Sequence, residues 1–423
     1  MTQLLAQAPQ TQYVPNEIVV ANEHAALVAW LIEEEVPAPN DLLGLTRFVL
    51  RDPGRSLQAL RARLDEAAVS PGQLAEFGAP PVDDLERILQ GVRACCAAMY
   101  GRWTPTIGKN RMLDHVTRGS GAISHGHPQP VSPAGAISHG SGTPAPTAAG
   151  SRVRRWTRPG SGVRVGIVDT RLFPVAYLHD GWVGDYTDTY LGDEVPPYRG
   201  GHATFVGGLV LDQAPGALLQ LRHVLDDAEA SASSWDVAEA IVAIGRSGVD
   251  VINLSLVGYS DDGRAPLVLS TAIDRLDPEI VVVAAAGNHG DVRGHEHDPG
   301  WPAALDDVVA VGAVDADENR APFSPDVPWI DVSARGVDVE SCFPPTVSGD
   351  RGQPVSYPSG FASWSGTSFA AAQVSGAVAA GIDPGRVTAR QSLTTLLSTA
   401  RPAPAGRLGG VAPRVLTMRR LPG

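Results

Sequence analysis

The sequence predicts a doubly wound α/β fold with a mostly parallel sheet, preceded by a smaller N-terminal α/β or helical region. Three observations carry that expectation. From residue 163 onward, short apolar runs alternate with helix-like stretches. Runs such as Ile280-Val-Val-Val-Ala-Ala-Ala286 are apolar at every position, as strands buried on both faces must be. Between the two regions, residues 119–150 shift to Gly, Ser, Pro, Ala and His, and the hexapeptide Gly-Ala-Ile-Ser-His-Gly occurs at 121–126 and again at 135–140. Such a stretch connects domains and builds no core.

Length and composition fit this division. A chain of 423 residues has room for two or three domains, each with its own core. Hydrophobic residues at 43% against 19% charged are the balance of a globular protein rather than a disordered one. With 33 Lys+Arg against 46 Asp+Glu the formal charge is −13, and no basic patch of useful size interrupts it, which argues against a nucleic-acid partner. Cys95, Cys96 and Cys342 are too few for a disulfide framework. The start, Met1-Thr-Gln-Leu-Leu-Ala-Gln, has neither the cationic segment nor the apolar run of an export signal, and no stretch of about 18 apolar residues offers a membrane span. The expected location is cytoplasmic, without a membrane partner; secretion by an unrecognised route is the alternative.

In the N-terminal region, Glu17–Ala21 reads as a strand, 25–34 as a helix, Leu45–Leu50 as a strand and Leu57–Leu64 as a helix that Ser56 would cap; Val82–Ala98 reads as another helix. His125, His127 and His139 in the low-complexity stretch read as linker residues rather than a metal site. Beyond the linker the expected elements are Val163–Asp169, His202–Leu211, Leu219–Val224, Trp235–Ser247, Val249–Leu256, Pro266–Leu276, Ile280–Ala286 and Val308–Val314.

In a doubly wound sheet, functional groups gather beyond the carboxyl ends of the strands. Arg164-Val-Gly-Ile-Val-Asp169 ends a strand with a carboxylate, which taken alone is equally a strand-ending or helix-capping Asp. Gly200-Gly-His202 places an imidazole at a helix start, which by itself is more often structural, and Gly207 and Gly208 would let that helix pack closely. Gly366-Thr-Ser368 sets a hydroxyl at the start of a helix of small residues, where it would be either an N-cap or a nucleophile helped by the helix's own N–H groups. Gly287-Asn288 follows a buried strand, and its amide is either part of an ordinary loop or a donor to a developing negative charge. In His295-Glu-His-Asp298 a solvated loop outweighs a metal site.

Taken together, Asp169, His202, Asn288 and Ser368, in that order and with this wording around each, resemble the subtilisin-like serine peptidases, or subtilases, over about residues 160–400. Val251-Ile-Asn-Leu-Ser-Leu256, Trp301-Pro-Ala-Ala304, Ala321-Pro-Phe-Ser324 and Trp329-Ile-Asp-Val-Ser-Ala334 extend the likeness beyond the four positions. The resemblance implies a serine endopeptidase in which Ser368 attacks a peptide carbonyl, His202 acts as base and then acid, Asp169 holds the imidazole, and the Asn288 amide with the Ser368 N–H receives the oxyanion. A base must be neutral to act, so the rate is expected to rise with pH across the ordinary imidazole range, about 6.5.

The resemblance also implies that a peptide or protein substrate pairs as an edge strand along Ser255, Leu256, Val257 and Gly258. Leu256, Val257 and the wall formed by Ala284, Ala285, Ala286 and Gly287 would favour a modest uncharged residue before the scissile bond. No cofactor is required for this chemistry, no metal ligand is assigned, and a structural calcium is not readable.

Residues 1–118 loosely resemble the prosegment of a zymogen, an intramolecular inhibitor, with an independent interaction module as the other reading. Residues 119–150 are then a linker open to cleavage, like Arg154-Arg155, and 151–423 the peptidase domain. The chain departs from the family at Arg171, where Gly is usual, at Ala203-Thr-Phe205, at Val257 and at Ala372. The departures at Arg171, Phe205 and Ala372 define the alternative, a non-catalytic subtilase-like module that binds peptides or proteins.

Overall fold

The computed structural model describes residues 13–78, 80–114, 129–130, 158–178, 181–191, 194–260, 262–349, 351–402 and 414–418. The repeated hexapeptides, the three linker histidines and Arg154-Arg155 lie outside them. Two compact units are present. One comprises residues 1–112 together with 233–239 and 266–275; the other takes the remaining chain.

The first unit is an antiparallel sheet with helices. β1 (Tyr13–Ala21) pairs antiparallel with both β2 (Leu45–Val49) and β3 (Ile107–Asp114). α1 (Ala25–Ile32), α2 (Pro53–Glu66), α3 (Pro71–Ala75) and α4 (Asp84–Met99) accompany it. Ile18, Val20, Val28, Phe48, Leu60, Ile88, Val92, Cys95 and Cys96 form one buried cluster. Leu60 and Gly91 let α2 and α4 approach closely, since a Cβ on Gly91 would sit 2.6 Å from a Leu60 methyl.

The cap of α2 corrects the expectation for Ser56. Asp52 caps the helix, accepting from the Arg55 N–H at 3.1 Å, and Pro53 occupies the first turn, where its missing N–H costs nothing. Ser56 lies inside the helix, and its Oγ donates to Glu34 at 2.8 Å. β3 was not expected at all, because its sequence Ile-Gly-Lys-Asn-Arg-Met-Leu-Asp carries three polar residues in a row. Those residues are buried by specific partners. Asn110 donates to Glu17 at 2.7 Å and accepts from the Ser234 hydroxyl and the Trp235 N–H, both at 2.9 Å; Lys109 pairs with Glu86 at 2.5 Å.

The second unit is built on the parallel sheet. β4 (Arg164–Asp169) lies between β5 (Leu218–His223) and β6 (Val251–Leu254), followed outward by β7 (Val281–Ala285), β8 (Val308–Val314) and β9 (Val332–Arg335), all parallel. The short pairs Trp182–Val183 and Arg414–Val415 extend its edges in parallel, and Arg401–Pro402 closes one edge antiparallel. Every residue of β6, β7 and β8 is buried, which accounts for their unbroken apolar wording. The strands and helices expected between residues 163 and 314 are present with ends shifted by at most two residues, as fraying predicts.

From β4 the chain passes through α5 (His202–Gln213) to β5 on one side, and from β5 through α6 (Ser234–Gly245), whose first residues belong to the first unit, to β6 on the other side of β4. This reversal opens a crevice at the carboxyl end of β4. α7 (Leu267–Asp274) connects β6 to β7, and α8 (Thr367–Gly381) is buried along most of its length. Gly376 permits α8 to touch α5, because a Cβ there would come 2.6 Å from the Val210 carbonyl. Among the described residues, no helix is long and apolar enough to cross a membrane.

Candidate active site

Asp169 is the last residue of β4 and His202 the first of α5, so the strand end and helix start that flank the crevice each supply one group. Both side chains are buried, at 0% and 1% exposure. His202 Nδ1 lies 2.8 and 2.9 Å from the two Asp169 carboxylate oxygens. An ionised carboxylate only accepts, so the imidazole proton resides on Nδ1 and the Nε2 lone pair faces the other way. The Thr170 N–H donates to the same carboxylate at 2.7 Å, fixing its rotation. Aromatic rings confine the imidazole: Trp364 edge-on at 5.7 Å and Phe369 tilted at 5.6 Å.

Ser368 is the second residue of α8, and its neighbour Phe369 is the ring that packs on His202. The Ser368 hydroxyl donates to the Ser255 carbonyl at 3.2 Å, while the Ser255 hydroxyl donates to the Ser368 carbonyl at 2.9 Å. Below them a buried chain continues. Asn253 donates to the Ser255 Oγ at 2.8 Å and accepts from the Ser375 hydroxyl at 2.9 Å. These bonds join the end of β6 to two turns of α8, so the helix cannot slide along the sheet without breaking buried bonds.

Asn288 follows β7 through Gly287, whose φ of +99° favours glycine. The Asn288 Oδ1 accepts from the Thr367 N–H at 2.9 Å and from the Thr367 hydroxyl at 3.0 Å. With its oxygen so occupied, the amide turns its NH2 group away from Thr367. A Cβ on Gly366 would be 3.7 Å from that nitrogen, which places the donor beside the turn that carries Ser368. Thr367 Oγ1 also accepts from the Gly287 N–H at 3.2 Å, so one hydroxyl sets both the amide and the loop bearing it.

Ser255, Leu256, Val257 and Gly258 run from the end of β6 and are buried, as are Ala285, Ala286 and Gly287 after β7. Gly258 differs from the edge-strand expectation: its N–H donates to the Trp301 carbonyl at 2.8 Å and its carbonyl accepts from the Trp301 N–H at 2.9 Å. The segment open to pairing therefore narrows to the residues before it. Val257 approaches Gly300, where a Cβ would lie 3.0 Å from a Val257 methyl. Behind Gly287, the buried His289 ring lies 2.9 Å from the Tyr259 hydroxyl and 2.9 Å from the Asp298 carbonyl. His295 pairs with Asp298 at 2.7 Å on a partly exposed loop.

The family departures have places of their own. Phe205 and Ala372 are fully buried core residues, with Phe205 4.5 Å from the Phe369 ring. Arg171 pairs with Asp227 at 2.6 Å. Neither Thr367, Asn253 nor Ser375 carried a signal of its own in the sequence. Thr367 was nevertheless findable, as a hydroxyl directly before the candidate nucleophile.

A buried carboxylate–imidazole pair and a helix-start serine, brought to the switch point of a doubly wound sheet, are the groups that an acyl-transfer hydrolase uses. The subtilase family model matches residues 160–411, and the chain belongs to that family, a family of serine endopeptidases whose chemistry needs no cofactor. It is 34% identical over 244 residues to subtilisin DY of Bacillus licheniformis, covering 55% of this chain and 81% of the relative. It is 33% identical over 243 residues to a thermophilic serine proteinase of Bacillus sp. (strain AK1), covering 54% of each. It is 32% identical over 235 residues to subtilisin E of Bacillus subtilis (strain 168), covering 52% and 55%. The chain thus spans about half the length of several of the relatives it matches. A solved structure described as a lanthipeptide protease aligns with 63% of this chain and 89% of its own, at 24% identity and a TM-score of 0.49.

Proposed function

We propose that the protein hydrolyses peptide bonds of peptide or protein substrates, with Ser368 as nucleophile, His202 as general base and then acid, and Asp169 holding the imidazole and stabilising its cation. The Asn288 amide and the Ser368 N–H, at the positive end of α8, receive the oxyanion. The observation that carries this reading is the buried Asp169–His202 pair, with Nδ1 as the protonated nitrogen, packed through Phe369 against the turn that presents Ser368. In the reaction the Ser368 hydroxyl, which donates to the Ser255 carbonyl at 3.2 Å, gives its proton to His202 Nε2. The carbonyl bond is long, so giving it up costs little.

Substrate backbone pairs along Ser255 to Val257. The bulk of Val257 near Gly300, with Ala285, Ala286 and Gly287 opposite, selects a small uncharged side chain before the scissile bond. Cleavage profiling of a peptide library with wild type and Ser368→Ala tests activity and preference together. Cuts after small uncharged residues, absent in the variant, support the proposal; identical profiles from both proteins contradict it.

Residues 1–118 act as a prosegment that assists folding and blocks the cleft. Support comes from the make-up of the first compact unit. It contains residues 233–239 and 266–275, which belong to the family-matched segment, and β3 holds the first of these through Asn110, Ser234 and Trp235. Arg275 adds a bond to the Leu42 carbonyl at 3.3 Å. Self-processing predicts that intact wild type loses mass corresponding to a cut in residues 119–150 or near Arg154-Arg155, while Ser368→Ala stays full length. Equal full-length masses contradict self-processing.

A further inference from the structure

The turn after β4 is held by charges that the reaction does not use. Asp227 accepts twice from Arg171, from its backbone N–H at 3.0 Å and from Nε at 2.6 Å. The Val224 and Leu225 N–H groups donate to the Asp169 carbonyl at 2.9 and 3.2 Å, so the segment bearing Asp227 wraps the residue that pairs with His202. The Arg171 guanidinium also reaches Glu194 at 3.1 Å and lies over the Tyr190 ring at 4.1 Å. Tyr190 in turn packs on Gly200, two residues before His202: a Cβ there would run into the Tyr190 hydroxyl and lie 3.4 Å from the Asp227 Cβ. Thr170 completes the link, with its hydroxyl donating to the Gly200 carbonyl at 3.4 Å and accepting from the Ala203 N–H at 3.2 Å.

One cluster therefore touches both the turn carrying Asp169 and the helix start carrying His202. We infer that Arg171, Asp227 and Tyr190 are positioning residues that set the alignment of the Asp169–His202 pair; the inference rests on the catalytic reading above. Arg171 is about 30% exposed, and an ion pair at that exposure adds little to stability. Misplacing a catalytic group by about 1 Å, in contrast, costs on the order of 100-fold in rate. A strut and a merely structural pair thus differ in what their loss changes.

The test titrates Ser368 with a fluorophosphonate and expresses kcat per labelled site for wild type, Arg171→Ala, Asp227→Ala and the double variant. The expected result is a loss of about 10- to 100-fold in kcat per site in each single variant, with KM within about twofold. The double variant should lose no more than the worse single one, because both remove the same contact. Asp227→Asn keeps the side-chain shape and should show a smaller loss of the same kind, which preserves the test if the truncation fails to fold. Unchanged kcat per site, with only fewer labelled molecules, overturns the inference alone. Wild type that takes up no label even after a proteolytic cut within residues 119–150 overturns the catalytic reading and the inference with it.

Discussion

Both compact units bury polar side chains, and they do so to different ends. In the N-terminal unit Thr46, Ser56, Lys109 and Asn110 are buried, and each is answered by a partner that closes the structure: Asn22, Glu34, Glu86 and Glu17. In the other unit Asp169, His202, Asn253, Ser255, Asn288 and Ser375 are as deeply buried, but their bonds tie β4, β6 and the loop after β7 to the helices α5 and α8. A buried polar group without a partner is costly in either place. Among the described residues, only in the second unit does satisfying these groups also orient a hydroxyl, an imidazole and an amide, so the same energetic rule produces a brace in one case and a candidate site in the other.

The comparison breaks most sharply at the donor amide. Asn288→Ala should lower kcat by about 10²- to 10³-fold with little change in KM, a size known for a subtilisin and carried over by analogy; steady-state kinetics would count against the role if the loss fell on KM instead. Thr367→Val removes the hydroxyl that orients Asn288 but keeps the N–H bond, and a loss of about tenfold in kcat is expected, since half of the amide's restraint remains.

A matched pair of truncations sharpens the contrast between the units. Asn110→Ala and Asn253→Ala each leave buried partners unanswered and should each cost about 1–3 kcal/mol, read as a lowered unfolding midpoint in denaturant. Only Asn253→Ala should also reduce kcat per titrated site. Equal kinetic effects from both would erase the distinction drawn here. The smallest effect concerns Cys96, whose thiol burial pushes up to about 12. At pH 8 its thiolate fraction is then about 10⁻⁴, so iodoacetamide should leave it unmodified in the native protein and label it only on unfolding.

How much of this was legible in the sequence depends on whether a residue's role is local. The parallel strands were readable because burial on both faces leaves no polar position, as in Val308–Val314. Asp169, His202, Asn288 and Ser368 stood out because each sits in distinctive local wording at a strand end or helix start. The cap of α2 was also readable in principle, since Asp52-Pro53 is a stronger start signal than Ser56. β3 was not, because Lys109-Asn110-Arg111 gains its burial from partners such as Glu17, Glu86 and Ser234 that are distant in sequence. Asp227 was hidden for the same reason: one carboxylate in an acidic chain carries no mark until the fold sets it 56 positions back against Arg171.

The most direct measurement is fluorophosphonate labelling of the full chain, before and after proteolytic cutting within residues 119–150, with the adduct located by peptide mass and repeated on His202→Ala. The account predicts one phosphonyl group per molecule on Ser368, lost in the variant and gained or accelerated by the cut. Ser368 unmodified in both forms of the wild type, or modified equally without His202, would contradict it.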